Sequence, residues 1–244
     1  MAFGGWATIG SPYSAEILSA AGLDWVGIDM QHGLVGFDRL PEILQALAIR
    51  RTPSLVRVPW NTQATIMQAL DAGAHGVIVP FVNSASEAKD AVSACRYPPG
   101  GVRSWGLLRA SLSSGAYDPE AANAATICGV MVETVQAIDS VESIARVPGV
   151  DAVIVGPRDL MLSAQTSTQL EATDASIDLY IERVVQACEA AGVIPGAFAP
   201  TREIAARWAG LGVRMIIAQS DSALLIAAAA ELTEYLRASV PADR

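Results

Sequence analysis

Residues 149–156 read Gly149-Val-Asp-Ala-Val-Ile-Val-Gly156, a glycine followed by a short run of mostly β-branched residues. Glycine is common just after the last turn of a helix because it adopts a positive φ without strain, and a β-branched run is typical of a buried strand. The same order recurs after Gly22, Gly73, Gly192 and Gly212. The sequence therefore predicts helices that end at these glycines and lead into buried strands.

Three further apolar runs bring the number of predicted strands to eight. They are Trp6–Ile9, Asp24–Asp29, Ser54–Val58, His75–Pro80, Ile127–Glu133, Asp151–Gly156, Val193–Pro195 and Val213–Ala218. Apolar residues at helical spacing lie between them, as in Leu40/Ile43/Leu44/Leu47 and Val135/Ile138/Val141/Ile144. The runs are continuous, as expected of parallel strands covered on both faces. We predict an α/β fold with a single (β/α)₈ TIM-barrel domain over residues 1–244, and an open doubly wound sheet as the alternative.

Composition restricts the classes of function. A content of 52% hydrophobic and 17% charged residues excludes a disordered chain. With 16 Lys+Arg against 25 Asp+Glu, the net charge is −9, and we therefore expect no nucleic-acid partner and no membrane-surface partner.

The cysteines and the start of the sequence indicate the compartment. Three cysteines without a close pair, and a start that lacks the pattern of an export signal, favour the cytoplasm. The longest apolar tract, Ala223–Ala230, is shorter than the roughly 20 residues of a membrane span.

Catalytic residues of such barrels follow the strands, at their carboxyl ends. This rule selects a small polar set, which is Asp29, Gln31, His32, Arg57, Glu133 and Asp159. The irregular stretch from Tyr97 to Pro119 is rich in turn formers. We expect it to be a functional loop between a strand and the following helix.

Glu133 and Asp159 are 26 residues apart, about one βα unit, so their carboxylates are expected to converge. Two hard oxygen ligands, with water and substrate completing an octahedron, favour Mg²⁺ or Mn²⁺ over zinc. The alternative is that both carboxylates cap the helices that follow them.

His32 and Arg57 each have two interpretations. The imidazole of His32 would move a proton at the rim, or it would simply hydrogen-bond a loop carbonyl. Arg57 places a cation in an apolar strand, which requires an anion nearby. That anion is either Asp29 or Asp71 in a buried ion pair, or a substrate oxygen. His75 begins a strand at the opposite end of the barrel, where we expect a structural role.

Motifs of other enzyme classes are absent from the sequence. It contains no G-x-G-x-x-G, Walker loop, G-x-S-x-G or H-E-x-x-H pattern. Dinucleotide-binding, triphosphate-binding, serine-hydrolase and zincin functions are therefore disfavoured.

Six blocks in order resemble the HpcH/HpaI family of metal-dependent class II pyruvate aldolases over almost the whole chain. They are Gly22-Leu-Asp-Trp-Val-Gly-Ile-Asp-Met-Gln-His32, Val56-Arg-Val-Pro-Trp-Asn61, Leu70-Asp-Ala-Gly73, Arg96-Tyr-Pro-Pro-Gly-Gly-Val-Arg103, Val132-Glu-Thr134 and Gly156-Pro-Arg-Asp-Leu160. The resemblance implies a (β/α)₈ barrel in which Glu133 and Asp159 hold Mg²⁺, Mn²⁺ or Co²⁺ and a pyruvate-type 2-oxo acid binds the metal.

The same resemblance implies roles for individual residues. His32 paired with Asp71 is the acid/base, and Arg57 stabilises the pyruvate enolate. The implied substrate-binding positions are Trp6, Gln31, Gly156, Pro157 and Arg158, with the backbone N–H groups of Arg158 and Asp159 receiving the pyruvate carboxylate. The family forms hexamers in which the last helix packs on a neighbouring subunit, and the apolar residues 224–230 suit that packing.

Two departures from the family pattern affect specificity. Gln31 stands where many relatives have glutamate, which removes a negative charge beside the metal. The stretch Ser163–Glu171 replaces a glycine-rich segment beside the aldehyde.

The predicted reaction is the reversible cleavage of a 4-hydroxy-2-oxo acid to pyruvate, or a close 2-oxo acid such as hydroxypyruvate, and an aldehyde. One alternative is a lyase or decarboxylase that uses the same enolate, as an oxaloacetate decarboxylase does. The other is a metabolite-binding barrel without catalysis.

Overall fold

Eight parallel strands close into a barrel in sequence order, with β8 beside β1. The computed structural model describes residues 1–106, 109–112, 117–165 and 175–239. The strands are β1 (Ala2–Ala7), β2 (Trp25–Asp29), β3 (Ser54–Arg57), β4 (Gly76–Val79), β5 (Ile127–Val132), β6 (Ala152–Val155), β7 (Ile194–Phe198) and β8 (Met215–Ser220). The predicted (β/α)₈ barrel is confirmed, and the open sheet is wrong because β1 pairs with both β2 and β8.

Helices surround this barrel. They are α1 (Pro12–Ala20), α2 (Leu40–Ile49), α3 (Gln63–Asp71), α4 (Ala85–Cys95), α5 (Pro119–Ala125), α6 (Val135–Asp139), α7 (Val141–Ala145), α8 (Pro157–Ser163), α9 (Ala175–Ala191), α10 (Arg202–Leu211) and α11 (Asp221–Ser239). All five glycines predicted to end helices have positive φ, from 73° to 112°, although Gly149 lies in a turn beyond α7. The helix predicted through residues 135–144 is two short helices that meet at Ser140.

Large side chains fill the interior of the barrel. Trp6, Trp25, Leu55, Ile78, Met131, Ile154 and Ile217 form one buried cluster. The rings of Trp6 and Trp25 meet edge to face with centroids 6.4 Å apart. Gly27 makes room for this packing, because a Cβ there would lie 2.0 Å from the ring of Trp6. The indole of Trp6 is thereby held just below the mouth of the barrel.

The first strand ends earlier than the sequence predicts. β1 stops at Ala7 because the N–H groups of Thr8 and Ile9 donate to the carboxylate of Asp221, at 2.8 and 3.3 Å, instead of continuing the sheet. The start of α11 is thus tied to the end of β1.

The stretch from Tyr97 to Pro119 is not a loop after a strand, and that prediction is wrong. It follows α4 and leads through α5 into β5, so it lies at the amino-terminal end of the strands. Turn-forming composition marks irregular backbone but carries no information about the end of the barrel to which it belongs. Its residues 107–108 and 113–116 are outside the described residues. Among the described helices, none is long and apolar enough to cross a membrane.

Candidate active site

A cavity of about 620 Å³ opens at the carboxyl ends of the strands. Eight of its lining residues carry most of its chemistry, namely Trp6, Asp29, His32, Arg57, Glu133, Pro157, Arg158 and Asp159. Gly156 also lines it. Parallel strands present their carboxyl ends at one rim, which is why residues so distant in sequence meet here.

Asp29 and Arg57 form a buried bidentate ion pair between neighbouring strands. The Nε and Nη2 atoms of Arg57 donate to the two carboxylate oxygens of Asp29 at 2.9 and 2.7 Å. The indole N–H of Trp6 donates to the same carboxylate at 3.2 Å, and the guanidinium carbon lies 5.3 Å from the centroid of the Trp6 ring. Of the two carboxylates predicted as ion-pair partners, Asp29 is therefore the one found.

Asp29 also shapes the loop that carries His32. Its Oδ1 accepts the backbone N–H groups of Gln31 and His32 at 3.0 and 3.2 Å. Burial raises the pKa of the Asp29 carboxyl, but the hydrogen bonds and charge of Arg57, together with the two backbone N–H groups, outweigh it and lower the pKa below its usual value. Asp29 is thus an ionised anchor for both Arg57 and the His32 loop.

Glu133 is 1% exposed, directly follows β5 and lines the cavity. Its Oε1 accepts the backbone N–H of Phe81 at 2.8 Å. The pKa of this carboxyl is raised to about 7: burial is the largest cause and the charge of Asp159 adds to it, whereas the Phe81 N–H and Arg57 act in the opposite direction. A Cβ at Gly156 would lie 2.3 Å from Oε2, so the glycine leaves the space that this carboxylate occupies.

Glu133 does not cap the helix that follows it. The cap of α6 is Thr134, whose hydroxyl accepts the N–H of Ala137, so the capping alternative is wrong for Glu133. Asp159 lies in the first turn of α8, where the helix dipole favours a carboxylate.

The two carboxylates fit a divalent cation. Burial, and to a lesser extent the charge of Asp159, raise the pKa of the Glu133 carboxyl, and a cation between the two carboxylates would offset both effects. Among the described residues, no group of three or more His, Cys, Asp and Glu side chains is placed to hold a metal ion. A cation here would therefore take its remaining ligands from water and substrate, as Mg²⁺ and Mn²⁺ do.

His32 lines the cavity and its side chain is exposed, and within the described residues its imidazole makes no hydrogen bond to a loop carbonyl. Gln31, unlike His32, is not among the described residues that line this cavity. The side-chain oxygen of Gln31 is buried and lacks a hydrogen-bond partner in the described part of the chain.

Asp71 lies at the other end of the barrel. It is the last residue of α3, which runs back toward the amino-terminal ends of the strands. Its carboxylate accepts Nη2 of Arg103 at 2.7 Å, and Arg103 is buried over the ring of Tyr97. A single chain therefore does not bring Asp71 to His32. His75 is at the same end and accepts the N–H of Ser54 at Nδ1, as expected of a structural residue.

The site predicted from the sequence omits several residues that line the cavity or contact Glu133. The backbone of Phe81 acts through an N–H, which no side-chain pattern reveals. Thr8, Ser220 and Ser222 line the wall formed by β1, β8 and α11. The prediction that β1 extends through Thr8 concealed the first of them. Ser220 and Ser222 come shortly after the apolar run Val213–Ala218, so the rule that selected Asp29 could have found them.

The pKa of Glu133 predicts how stability varies with pH in the metal-free protein. The folded chain holds this proton to about pH 7, whereas an ordinary glutamate releases it near 4.5. The unfolding free energy should therefore fall as the pH rises from about 4.5 to about 7, by roughly 3 kcal/mol. Urea unfolding in chelator should show this loss in the wild type and not in Glu133→Gln. Equal pH dependence in the two proteins would contradict the expectation.

A (β/α)₈ barrel that gathers carboxylates, an arginine and a histidine at its carboxyl end has the architecture of a barrel enzyme. Residues 3–228 match the model of the HpcH/HpaI aldolase/citrate lyase family. The 4-hydroxy-2-oxo-heptane-1,7-dioate aldolase of Salmonella arizonae is 35% identical over 223 residues, which cover 90% of this chain and 84% of the relative.

Solved structures agree with this family. A crystal structure of a HpcH/HpaI aldolase/citrate lyase family protein from Burkholderia cenocepacia J2315 has a TM-score of 0.90 and 33% identity, covering 97% of this chain and 94% of the other. A HpcH/HpaI aldolase from Desulfitobacterium hafniense DCB-2 has a TM-score of 0.90 and 26% identity, covering 100% and 95%. The chain belongs to the HpcH/HpaI aldolase/citrate lyase family, and it is a carbon–carbon lyase of the aldolase type.

Proposed function

We propose that this protein is a metal-dependent class II aldolase that reversibly cleaves 4-hydroxy-2-oxo acids to an aldehyde and pyruvate, or a close 2-oxo acid such as hydroxypyruvate. The observation that carries the proposal is the meeting of the Glu133–Asp159 pair with the Arg57 guanidinium in one cavity. The name of the Salmonella arizonae relative, an aldolase of a 4-hydroxy-2-oxo acid, supports the substrate class.

Glu133 and Asp159 would hold the cation, which we expect to be Mg²⁺, Mn²⁺ or Co²⁺. When bound, the cation supplies a Lewis acid that withdraws electrons from the 2-oxo group. Gly156 is the N-cap of α8 and Pro157 its first residue, and the backbone N–H groups of Arg158 and Asp159 would receive the carboxylate of the 2-oxo acid. Trp6 forms the floor under this end of the substrate.

Arg57 would stabilise the negative charge that develops on the 2-oxo oxygen. Asp29 holds its Nε and Nη2 atoms, and Nη1 makes no hydrogen bond to the described residues. The guanidinium is therefore fixed in orientation before substrate binds, so little reorganisation is needed as charge develops.

His32 would accept the proton of the C4 hydroxyl. As that proton leaves, the C4 oxygen forms the aldehyde carbonyl, the C3–C4 bond breaks, and its electron pair remains on the pyruvate fragment as the enolate. Protonation at C3 then gives pyruvate. The exposed imidazole at the cavity mouth is placed to serve this step.

The predicted pair of His32 and Asp71 requires two chains, because each chain places these residues at opposite ends of its barrel. The last helix supports an assembly. From Leu224 to Ser239, every residue of α11 is exposed, with Leu225 at 65% and Ile226 at 69%. Such an apolar surface is expected to be covered by a neighbouring copy. We expect a closed homo-oligomer, a hexamer by family resemblance.

Light scattering should therefore report a particle several times larger than the 25.4 kDa chain. Ile226→Glu, which places a charge in the apolar surface of α11, should reduce its size and lower activity with it. Ile49→Glu is the matched control, because Ile49 is 73% exposed at the end of α2. A 25.4 kDa wild-type particle would contradict the assembly.

One barrel built from all eight strands supports a single domain over residues 1–244. The three cysteines are buried free thiols, which supports a reducing, cytoplasmic location.

Two assays test the proposed reaction. With Mn²⁺ in D₂O, the protein should exchange the methyl hydrogens of pyruvate, because the enolate forms without an aldehyde. With pyruvate and a panel of aldehydes, mass spectrometry should detect adducts of summed mass. Absence of both exchange and adducts would refute the proposal.

A further inference from the structure

Three residues with hydroxyl groups lie together on one wall of the active-site cavity. Thr8 follows β1, Ser220 ends β8, and Ser222 lies in the first turn of α11. In the eight-stranded barrel, β1 and β8 lie opposite β5 and β4, and β6 is next to β5. The wall therefore faces Glu133 across the mouth, and Asp159, which follows β6, lies beside Glu133. A substrate whose 2-oxo acid end lies at the two carboxylates would reach this hydroxyl wall, Thr8/Ser220/Ser222, with its other end.

The direction of each O–H bond in the hydroxyl wall follows from the contacts. The carboxylate of Asp221 only accepts, so Thr8 donates its hydroxyl hydrogen to Asp221 at 2.7 Å. The hydrogen between Thr8 and Ser222, 2.9 Å apart, must then come from Ser222. The hydrogen between Ser222 and Ser220, 3.0 Å apart, must come from Ser220 by the same reasoning. All three hydroxyl hydrogens are thus committed, that of Thr8 to Asp221 and the other two within the wall.

What remains available to a ligand is acceptor capacity. A hydroxyl oxygen has two lone pairs. Within the described chain, Thr8 accepts one hydrogen bond from Ser222, Ser222 accepts one from Ser220, and Ser220 accepts one from the N–H of Ala223 at 3.1 Å. Each of the three oxygens therefore keeps one lone pair. The wall is suited to a ligand that donates hydrogen bonds.

The negative charge of Asp221, behind the hydroxyl wall, also favours a hydrogen-bond donor over a carboxylate. Asp221 is 7% exposed, and no cation lies within ion-pair distance of it among the described residues. It is held instead by neutral donors, which include the N–H groups of Thr8 and Ile9 and the hydroxyl of Ser14 at 2.7 Å. A carboxylate on the ligand would meet lone pairs and a like charge behind them.

We propose that the hydroxyl wall selects aldehydes that carry hydroxyl groups next to the carbonyl over aldehydes that carry a carboxylate. This inference rests on the proposed aldolase function. The substrate that it predicts differs from the dicarboxylic acid named for the Salmonella arizonae relative. Two arginines line the cavity: Arg57 is paired with Asp29, and Arg158, which is exposed and follows β6, is the one placed to attract a carboxylated aldehyde.

Three aldehydes separate these preferences when each is tested with pyruvate and Mn²⁺. Glyceraldehyde and propionaldehyde share a three-carbon chain and differ by two hydroxyls, and succinic semialdehyde adds a carboxylate. The kcat/KM should follow the order glyceraldehyde, propionaldehyde, succinic semialdehyde. Hydroxyaldehydes are intrinsically more electrophilic, so the order of kcat/KM in the wild type is not sufficient evidence. The test is the change that a mutation causes in the ratio of kcat/KM between two aldehydes.

Ser222→Ala removes one acceptor and frees the O–H of Ser220. The ratio of kcat/KM for glyceraldehyde to that for propionaldehyde should fall about fivefold, and succinic semialdehyde should gain relative to propionaldehyde. Ser220→Ala, a second variant, should also lower the ratio of glyceraldehyde to propionaldehyde, but succinic semialdehyde should not gain relative to propionaldehyde. Ser14→Ala is the matched control, because Ser14 donates to the same Asp221 and does not line the cavity; both ratios should stay unchanged.

Unchanged ratios in both Ser222→Ala and Ser220→Ala would overturn the inference while leaving the aldolase function intact. A wild-type preference for succinic semialdehyde that Arg158→Gln removes would also overturn it. Failure of the proposed function is distinct, because the exchange of pyruvate hydrogens in D₂O, which needs no aldehyde, would then be absent as well.

Discussion

EDTA should abolish aldol turnover, and Mn²⁺ or Mg²⁺ should restore it in the wild type but not in Glu133→Gln or Asp159→Asn. Each substitution keeps the side-chain shape and removes one charge from the proposed cation site. Since a bound cation contributes several kcal/mol to stabilising the transition state, the loss should be about 10³-fold or more. Titration calorimetry with Mn²⁺ alone should show affinity lowered by more than about 100-fold in both variants.

Two glycine substitutions test whether the affinity for Mn²⁺ depends on the position of the Glu133 carboxylate. In Gly156→Ala the new Cβ would lie 2.3 Å from Oε2 of Glu133, so the carboxylate must move, and Mn²⁺ affinity should fall about tenfold. In Gly210→Ala nothing lies within 4 Å of the new Cβ, so affinity and turnover should be unchanged. Full turnover after complete chelation would refute the metal-dependent mechanism.

His32→Ala should slow aldol cleavage by 10²–10⁴-fold and affect oxaloacetate decarboxylation much less. Cleavage of a 4-hydroxy-2-oxo acid requires removal of the C4 hydroxyl proton, whereas decarboxylation of oxaloacetate reaches the same enolate without that step. Steady-state rates of both reactions in one preparation measure the difference. His75→Ala is the matched control, because it is the other histidine and lies at the opposite end of the barrel.

Arg57→Ala should instead slow both reactions together, by about 10²–10³-fold, because the charge on the enolate oxygen develops in both. The variant leaves Asp29 buried without its partner, so its melting temperature should be measured alongside the rates. Equal losses of the two activities in His32→Ala would show that His32 positions substrate or metal and does not move the proton.

The sequence by itself determined the barrel and most of the candidate active site at its rim. Five glycines with positive φ and the buried strands after them specify alternating helices and strands, because these are local backbone preferences. Glu133 and Asp159 were predictable because parallel strands all present their carboxyl ends at the same rim. The family resemblance added roles for His32, Arg57 and Asp71 that spacing does not supply.

Only the tertiary structure decided which side chains pair. Arg57 binds Asp29 and Asp71 binds Arg103, although the sequence allowed Arg57 either carboxylate. The stretch from Tyr97 to Pro119 lies at the amino-terminal end of the barrel strands, opposite to the end that the sequence predicts. The end to which a loop belongs depends on whether a strand or a helix precedes it, and here α4 precedes it. The hydroxyl wall joins Thr8 to Asp221 and Ser222 across more than 200 residues. Such contacts depend on closure of the barrel between β1 and β8, which local sequence preferences do not encode.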